Sequence, residues 1–136
     1  KWLLWCCLLL SFVQMVLGVQ VREALDQIAF GYPSGREGWI SRLGLEFVIH
    51  RSFSWVVFIS NAWLAYKLVK NFGYNWRTTG LVGLTLLSVI SGVGMAYGSV
   101  PAYLQPLHLL VSTLTFGLLL LMLLQNKEDN VNLNYA

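Results

Sequence analysis

Charge is scarce in this sequence of 136 residues, of which only 11% are Asp, Glu, Lys or Arg. Soluble domains carry about 25%. The apolar fraction is 57%, and a chain this short cannot bury such a surplus inside a globule of its own, because small proteins have an unfavourable ratio of surface to volume. The composition therefore disfavours a water-soluble domain and predicts one small membrane-embedded unit.

Several chemical signatures are also missing. The net charge of +3 comes without any basic run, which argues against a nucleic-acid partner. Cys6 and Cys7 are adjacent in an apolar run and lack C-x-x-C spacing, so we interpret them as packing residues. The sequence contains no Ser/His/Asp or Cys/His arrangement, no phosphate-binding glycine loop and no pair of inward carboxylates. Hydrolases, nucleotide-binding proteins and proton-driven transporters are therefore disfavoured, and no catalytic residue is assigned.

Long apolar stretches are what the sequence does contain. Each is close to the ~20 residues that a helix needs to cross the hydrocarbon core, and aromatic residues lie near the ends, as is typical of membrane interfaces. They predict an all-α membrane protein, a bundle of four transmembrane helices. The first stretch also has features of a signal peptide, but it is long and has no small-x-small cleavage site. The four stretches are Trp2–Val19, Leu43–Tyr66, Thr79–Gly98 and Pro101–Gln125.

The connections between these stretches predict topology. Five basic residues lie at the start, in the 67–78 loop and in the tail, and three lie in the 20–42 connection among acidic residues. Because positive residues are enriched in cytoplasmic loops, both termini are expected in the cytoplasm. Within 20–42, Val21, Leu25 and Ile28 recur at helical spacing, which predicts a short amphipathic helix at the outer interface. We assign residues 1–126 to the four-helix unit and 127–136 to a polar, disordered tail.

Two histidines, His50 and His108, lie inside the second and fourth stretches. His50 is about eight residues, or roughly 12 Å, from the outer end of its helix, and His108 is about seven residues, or ~10 Å, from the outer end of the other. Two imidazoles at one depth on different helices suit axial ligation of a heme iron. Interhelical hydrogen bonds are an alternative role. Zinc would need further ligands, for which only Glu46 is near.

Two charged residues accompany His50. Glu46 lies one turn away on the same helix face, where it would orient the imidazole or pair with Arg42. Arg51 points about 100° away, and its guanidinium would need a counter-charge such as a heme propionate. An internal ion pair of Glu46 with Arg42 or Arg51 is equally consistent with the sequence.

Small residues mark the first and third stretches. “SVISGVGMAYGS” has the spacing that allows close helix packing, or room for a flat macrocycle. “QMVLGVQV” in the first stretch has the same pattern, a polar residue followed four positions later by glycine. Each of these stretches precedes one that bears a single histidine, which suggests two helix pairs built alike. Pro106 is expected to kink or start the last helix and so to orient His108.

Three segments, in this order, resemble one known family: “QMVLGVQVREALDQIA”, “HRSFSW” and “SGVGMAYGSVPAYLQPLHLL”. The sequence is similar to the heme A synthase (cytochrome oxidase assembly) family, and specifically to the carboxy-terminal half of a bacterial member. The resemblance runs from about Phe12 to Leu121 and is most specific in “VREALDQIA” and “HRSFSW”. It implies two similar four-helix halves, each with a histidine pair near the outer face.

The resemblance also implies a function, oxidation of the heme O methyl group to the formyl group of heme A. In the family the amino-terminal half holds heme O and the reacting carboxylate, and the carboxy-terminal half binds heme b. His50 and His108 match the heme b ligands, with Arg51 and Glu46 as less specific pocket residues. The catalytic half is expected to precede this sequence, which agrees with a start at Lys1 without Met. The cysteine pair that some members have in the outer loop is missing from residues 20–42.

The prediction is therefore the heme b-binding half of a heme A synthase in the bacterial plasma membrane. Its expected partners are the lipid bilayer and an amino-terminal four-helix half, on the same or a separate polypeptide. A bis-histidine heme has no open iron position, so it would pass electrons rather than bind oxygen. The alternatives are a small membrane cytochrome b that passes electrons from quinol to a partner, and a heme-free membrane assembly subunit.

Overall fold

The structure is a computed structural model that describes residues 1–32 and 35–133, with side chains as far as Gln125. Every regular element in these ranges is a helix. An all-helical fold was predicted, and it is confirmed. The helices are α1 (Trp2–Gly31), α2 (Trp39–Arg42), α3 (Leu45–Phe72), α4 (Trp76–Tyr97) and α5 (Leu104–Leu133).

The four long helices form a bundle in which each packs against two neighbours. α1 contacts α3 and α5, and α4 contacts the same two helices. Short connections make consecutive long helices antiparallel, so α3 and α5 begin at the same end, which we name the upper end. The opposite end is the lower end. α3 and α5 therefore lie diagonally across the bundle and run in the same direction.

Three of the long helices are apolar and long enough to cross a membrane: α1, α4 and residues Leu104–Gln125 of α5. The chain is thus a helical membrane protein. At 28 residues, α3 is also long enough, at about 42 Å. It is less apolar than the others because it includes charged residues, among them Glu46, Arg51 and Lys67.

The segment predicted as a separate amphipathic helix is the last part of α1. That prediction was wrong about the boundary, because α1 continues without a break to Gly31. Nothing between Val19 and Phe30 interrupts the backbone hydrogen bonds, and Arg22 forms an i,i+4 ion pair with Asp26 at 2.8 Å. A helix of 30 residues is about 45 Å long, so its upper part extends beyond a ~30 Å hydrocarbon core.

The predicted polar tail overlaps the last helix. α5 continues to Leu133, so the backbone of residues 127–133 is helical, and residues 134–136 lie outside the described residues. The division of the chain at residue 126 stays a prediction.

Apolar packing is concentrated at the two ends of the bundle. The lower cluster joins all four long helices, and it contains Cys7, Leu81 and Leu119 with no exposed surface. Cys7 is therefore a packing residue, as expected, whereas Cys6 is exposed. The upper cluster is smaller and consists of Leu25, Trp39 and Val100 with their neighbours.

A layer of small and polar side chains separates these two clusters. Its members come from all four long helices, and none of them belongs to either apolar cluster. This layer holds both histidines and is where the candidate site lies. It contains Gln14, Gly18, His50, Ser88, Ser91, Gly92 and His108.

Candidate functional site

Both histidines lie close to the start of their helices at the upper end. His50 is five residues into α3 from Leu45 and His108 is four residues into α5 from Leu104, which correspond to about 7.5 and 6 Å along the helix axes. Both side chains are half-buried. The two residues therefore lie at matched depth on parallel, diagonally placed helices.

Each imidazole packs against a glycine of the preceding long helix. A Cβ built on Gly18 of α1 would lie 3.3 Å from Cε1 and 3.8 Å from Nδ1 of His50. A Cβ built on Gly92 of α4 would lie 3.3 Å from Cε1 and 3.8 Å from Nδ1 of His108. The faint sequence repeat thus has a structural counterpart, since the two glycines stand in the same geometric relation to the two histidines.

The polar surroundings of His50 leave one ring nitrogen without a partner. The Gln14 amide Nε2 donates to the His50 carbonyl oxygen at 3.2 Å and lies 3.4 Å from His50 Nε2. His50 Nδ1 is buried and has no hydrogen-bond partner among the described residues. A buried polar nitrogen in this state is costly. Because Nδ1 faces Gly18, Nε2 is the ring nitrogen of His50 that remains for a ligand.

His108 is held more firmly by hydroxyl groups of α4. Its Nδ1 lies 2.9 Å from the Ser91 hydroxyl, which also donates to the Ser88 carbonyl oxygen at 3.0 Å. The Ser88 hydroxyl lies 3.3 Å from the hydroxyl of Ser112, one turn beyond His108 on α5. With Nδ1 engaged in this way, Nε2 is the ring nitrogen that remains for a ligand.

The two imidazole rings lie in the same layer of the bundle, between the lower and upper apolar clusters. They belong to the diagonal helices α3 and α5, which are separated by α1 and α4. A glycine packs against each ring, and the Ser91 hydroxyl lies beside His108. Together these features fit a flat ligand held between two imidazoles.

The charged residues predicted beside His50 take other partners here. Glu46 Oε1 accepts the Gly44 backbone N–H at 2.6 Å, at the start of α3. The exposed guanidinium of Arg51 lies 5.8 Å from the Phe47 ring centroid, and that of Arg42 lies 3.9 Å from the Tyr32 ring centroid. Within the described ranges, Glu46 forms no ion pair with either arginine. Their roles toward a heme stay predictions.

A polar cluster that the sequence analysis missed lies one turn above the histidines. Arg22 Nη1 donates to Gln105 Oε1, and Gln105 Nε2 lies 3.5 Å from the Val100 carbonyl oxygen. Arg36 Nη1 donates to that same carbonyl at 2.6 Å. We name these four residues the upper clasp. The spacing of these residues in the sequence could have indicated the cluster, since Arg22 follows Gly18 by four residues and Gln105 precedes His108 by three.

Metal-ligand chemistry limits which metal groups this site could bind. Among the described side chains, those of residues 1–32 and 35–125, no group of three His, Cys, Asp or Glu could hold a bare metal ion. A heme needs only two axial ligands from the protein, because the porphyrin supplies the other four nitrogens. The residues present therefore fit a bis-histidine heme better than zinc.

The fold and this layer together define a class, a helical-bundle membrane protein with paired histidines on alternate helices. The family model for cytochrome oxidase assembly proteins, COX15-CtaA, matches residues 1–120. The chain belongs to this family, which is that of the heme A synthases, so its role lies in heme A biosynthesis and cytochrome oxidase assembly. Neither a curated protein nor a solved structure matches the chain significantly. The family predicted from three sequence segments is confirmed.

Proposed function

We propose that this chain is the heme b-binding half of a heme A synthase, with His50 and His108 as axial ligands of one heme b. When bound, such a heme would carry electrons. Oxidation of the heme O methyl group would take place in an amino-terminal four-helix half, on the same or a separate polypeptide. No catalytic residue is assigned to this chain.

One observation supports the proposal more strongly than the others. The two histidines lie at matched depth on the diagonal helices, and each ring packs with the same geometry against a glycine of the preceding long helix. Two histidines used separately for helix packing have no reason to share this geometry. A ligand that is contacted equally from both sides supplies such a reason.

The residues around the rings would orient them for this task. The Ser91 hydroxyl engages His108 Nδ1 at 2.9 Å, which selects Nε2 as the ligand nitrogen and fixes the rotation of the ring. Gln14 lies 3.4 Å from His50 Nε2 and would move aside when a heme binds. Glu46 and Arg51 are retained as pocket residues in the proposal, on the strength of the family resemblance.

The membrane arrangement is part of the proposal. We infer that α3 also crosses the bilayer, because it is about as long as α1 and packs between α1 and α4. The chain would then span the membrane four times, with both termini in the cytoplasm by the distribution of basic residues. The membrane would be the bacterial plasma membrane, and the histidines would lie near its outer face.

The test is the absorbance spectrum of the full chain, purified in detergent from cells that make heme. We expect a low-spin, six-coordinate heme b spectrum with about one heme per chain. His50→Ala and His108→Ala should each abolish that spectrum, because six-coordination needs both ligands. A helical circular dichroism signal equal to that of the unaltered chain would be the control for folding.

The alternatives predict different results. A heme-free assembly subunit would show no Soret absorbance at all, which would overturn the proposal. A quinol-linked cytochrome b would show the same spectrum, but it would not raise heme A formation when added to an amino-terminal half that is supplied with heme O. Six-coordinate spectra retained in either histidine variant would also contradict the ligand assignment.

A further inference from the structure

We propose that the upper clasp is a carboxylate-binding site, in which Arg22, assisted by Arg36, holds the propionate groups at the edge of the bound heme. This inference rests on the proposed heme site and gives a role to residues to which the sequence analysis assigned none. Arg51, the arginine next to His50 in sequence, is the residue with which Arg22 is compared.

Position is the first argument for Arg22. It follows Gly18 by four residues on a continuous helix, so it lies one turn nearer the upper end on the same face of α1. Gly18 is the residue that contacts His50. The partner of Arg22, Gln105, precedes His108 by three residues on α5 and so lies one turn above that ring. The Arg22–Gln105 bridge therefore joins the neighbouring helices α1 and α5 one turn above the histidine layer.

Donor capacity is the second argument. A guanidinium has five N–H donors in a planar fork that matches a carboxylate. Arg22 Nε donates to Asp26 Oδ2 at 3.0 Å, Nη2 lies 2.8 Å from Asp26 Oδ1, and Nη1 donates to Gln105. Three donors are thus engaged and two remain. The side chain is about half exposed, so the remaining donors are accessible.

Charge is the third argument. Arg36 belongs to the same cluster, since its Nη1 donates to the Val100 carbonyl oxygen that Gln105 also approaches. Two cationic groups thus converge on one carbonyl and one amide at the upper end. A heme carries two carboxylates, and a pair of arginines would neutralise both. Arg51, in contrast, is exposed and lies over Phe47 with no link to the clasp.

Asp26 is the group that competes with such a ligand, because its carboxylate occupies two donors of Arg22. Glu23 is the next acidic residue along α1 and is exposed. Removing the Asp26 charge should therefore strengthen carboxylate binding, whereas removing the Arg22 charge should weaken it. Opposite signs for two partners of one ion pair are not expected if the pair serves only to stabilise α1.

The experiment measures the rate at which heme leaves the full chain and is captured by excess apomyoglobin. Arg22→Gln should lose protoheme about three- to tenfold faster than the unaltered chain, the range expected for one exposed charge-assisted contact. Asp26→Asn should lose it about twofold more slowly. Arg42→Gln, at the same end but stacked on Tyr32, is the control and should change the rate less than twofold.

Protoheme dimethyl ester, which has no free carboxylate, gives the decisive comparison. If Arg22 contacts a propionate, Arg22→Gln should leave the loss rate of the ester unchanged relative to the unaltered chain. An equal acceleration for protoheme and its ester would mean that Arg22 only stabilises the fold, and would overturn the inference. The inference would also be overturned if Arg51→Gln lost protoheme faster than the unaltered chain while Arg22→Gln lost it at the unaltered rate.

The failure of this inference is distinguishable from failure of the proposed function. An unaltered chain that binds no protoheme would overturn the heme assignment itself. If the chain binds protoheme through both histidines but its rate of heme loss does not depend on the charge at residue 22, the heme site would stand. Only the role of the upper clasp would then be rejected.

Discussion

The helix pairs α1–α3 and α4–α5 are built on the same plan but hold their histidines differently. In both pairs a glycine packs against Cε1 of the imidazole at the same distance. In the second pair a serine hydroxyl engages His108 Nδ1, while in the first His50 Nδ1 is buried without a described partner. The glycine sets how closely the helices approach, and the polar neighbour sets how freely the ring turns.

This difference suggests two roles for two otherwise similar ligands. His108 is pre-oriented by Ser91 and the serines around it, so little ordering is required when a ligand binds. His50 has a weak contact from Gln14 at 3.4 Å and has to exchange it for the ligand. We expect the α4–α5 pair to determine the affinity for heme. The α1–α3 pair is expected to change its side-chain contacts when heme binds.

The largest expected effect comes from removing the orienting hydroxyl. Ser91→Ala should weaken heme binding by about tenfold, the lower end of what loss of a hydrogen bond to a ligand histidine costs. It should also raise the reduction potential, because the ligand becomes less basic. Heme titration and a potentiometric titration of the full chain measure both effects. Ser91→Thr, which keeps the hydroxyl, is the matched control.

The corresponding change in the first pair should have little effect on heme affinity or increase it. Gln14→Leu keeps the side-chain size but removes the amide that faces His50 Nε2. Heme affinity should stay within about threefold of the unaltered chain or increase, because a competing contact worth roughly 1 kcal/mol or less is lost. A tenfold loss of affinity in this variant would make Gln14 an orienting residue like Ser91 and erase the contrast between the pairs.

The two glycines should have a smaller effect on heme binding than Ser91. Gly92→Ala should weaken heme binding about fivefold, since the added Cβ would lie 3.3 Å from a ring that Ser91 prevents from moving. In Gly18→Ala the added Cβ would lie at the same distance from His50, but this ring is less restrained. Heme affinity is therefore expected to change by less than about twofold. Heme titration checks both.

A double variant sharpens this test. If the restraint by Ser91 is the reason for the larger effect, the cost of Gly92→Ala should shrink when Ser91 is already Ala, because the two residues act on one ring. Equal effects of Gly18→Ala and Gly92→Ala would show that both rings are held alike, against our interpretation.

The connections within each pair should affect the stability of the protein rather than its affinity for heme. The connection in the first pair has glycine at positive φ, as at Gly38 with φ 84°, whereas the second pair has Ser99 at φ 57° and Val100 at φ 53°. Ser99→Gly should stabilise the protein by about 0.5 kcal/mol, because relief of left-handed strain exceeds the added flexibility of the unfolded chain. Gly38→Ala should destabilise it by about 1 kcal/mol. Denaturant titration in detergent, followed by circular dichroism, measures these changes, and equal signs would contradict the strain argument.

Hydropathy predicted the long helices well because lipid-facing residues leave a strong signal. The four apolar stretches correspond to α1, α3, α4 and α5, and three of them meet the length and composition of a membrane span. The boundary of α1 was missed because amphipathic spacing over Val21–Ile28 looks the same in a separate interfacial helix and in the end of a longer one. Only a break in the backbone would distinguish them.

The candidate site was partly predictable. The matched depth of His50 and His108 follows from residue counting, because the rise per residue of a helix is constant. The predicted depths were too large, because α3 begins at Leu45 and α5 at Leu104, a few residues later than expected. The glycine repeat was visible as well, but its meaning was not, since Gly18 and Gly92 could have faced lipid or any neighbour. Ser91 and Gln105 were missed, as a serine and a glutamine in apolar helices carry no distinctive pattern of their own.

The sequence by itself determined that this chain is a helical membrane protein, that two histidines lie at one depth and that the family is that of heme A synthase. These are properties of single helices and local motifs, which depend on composition and regular rise. Only the tertiary structure decided which helix faces contact each other. That choice brings Gly18 against His50, Gly92 and Ser91 against His108, and Arg22 across to Gln105, because packing between helices depends on rotation about their axes.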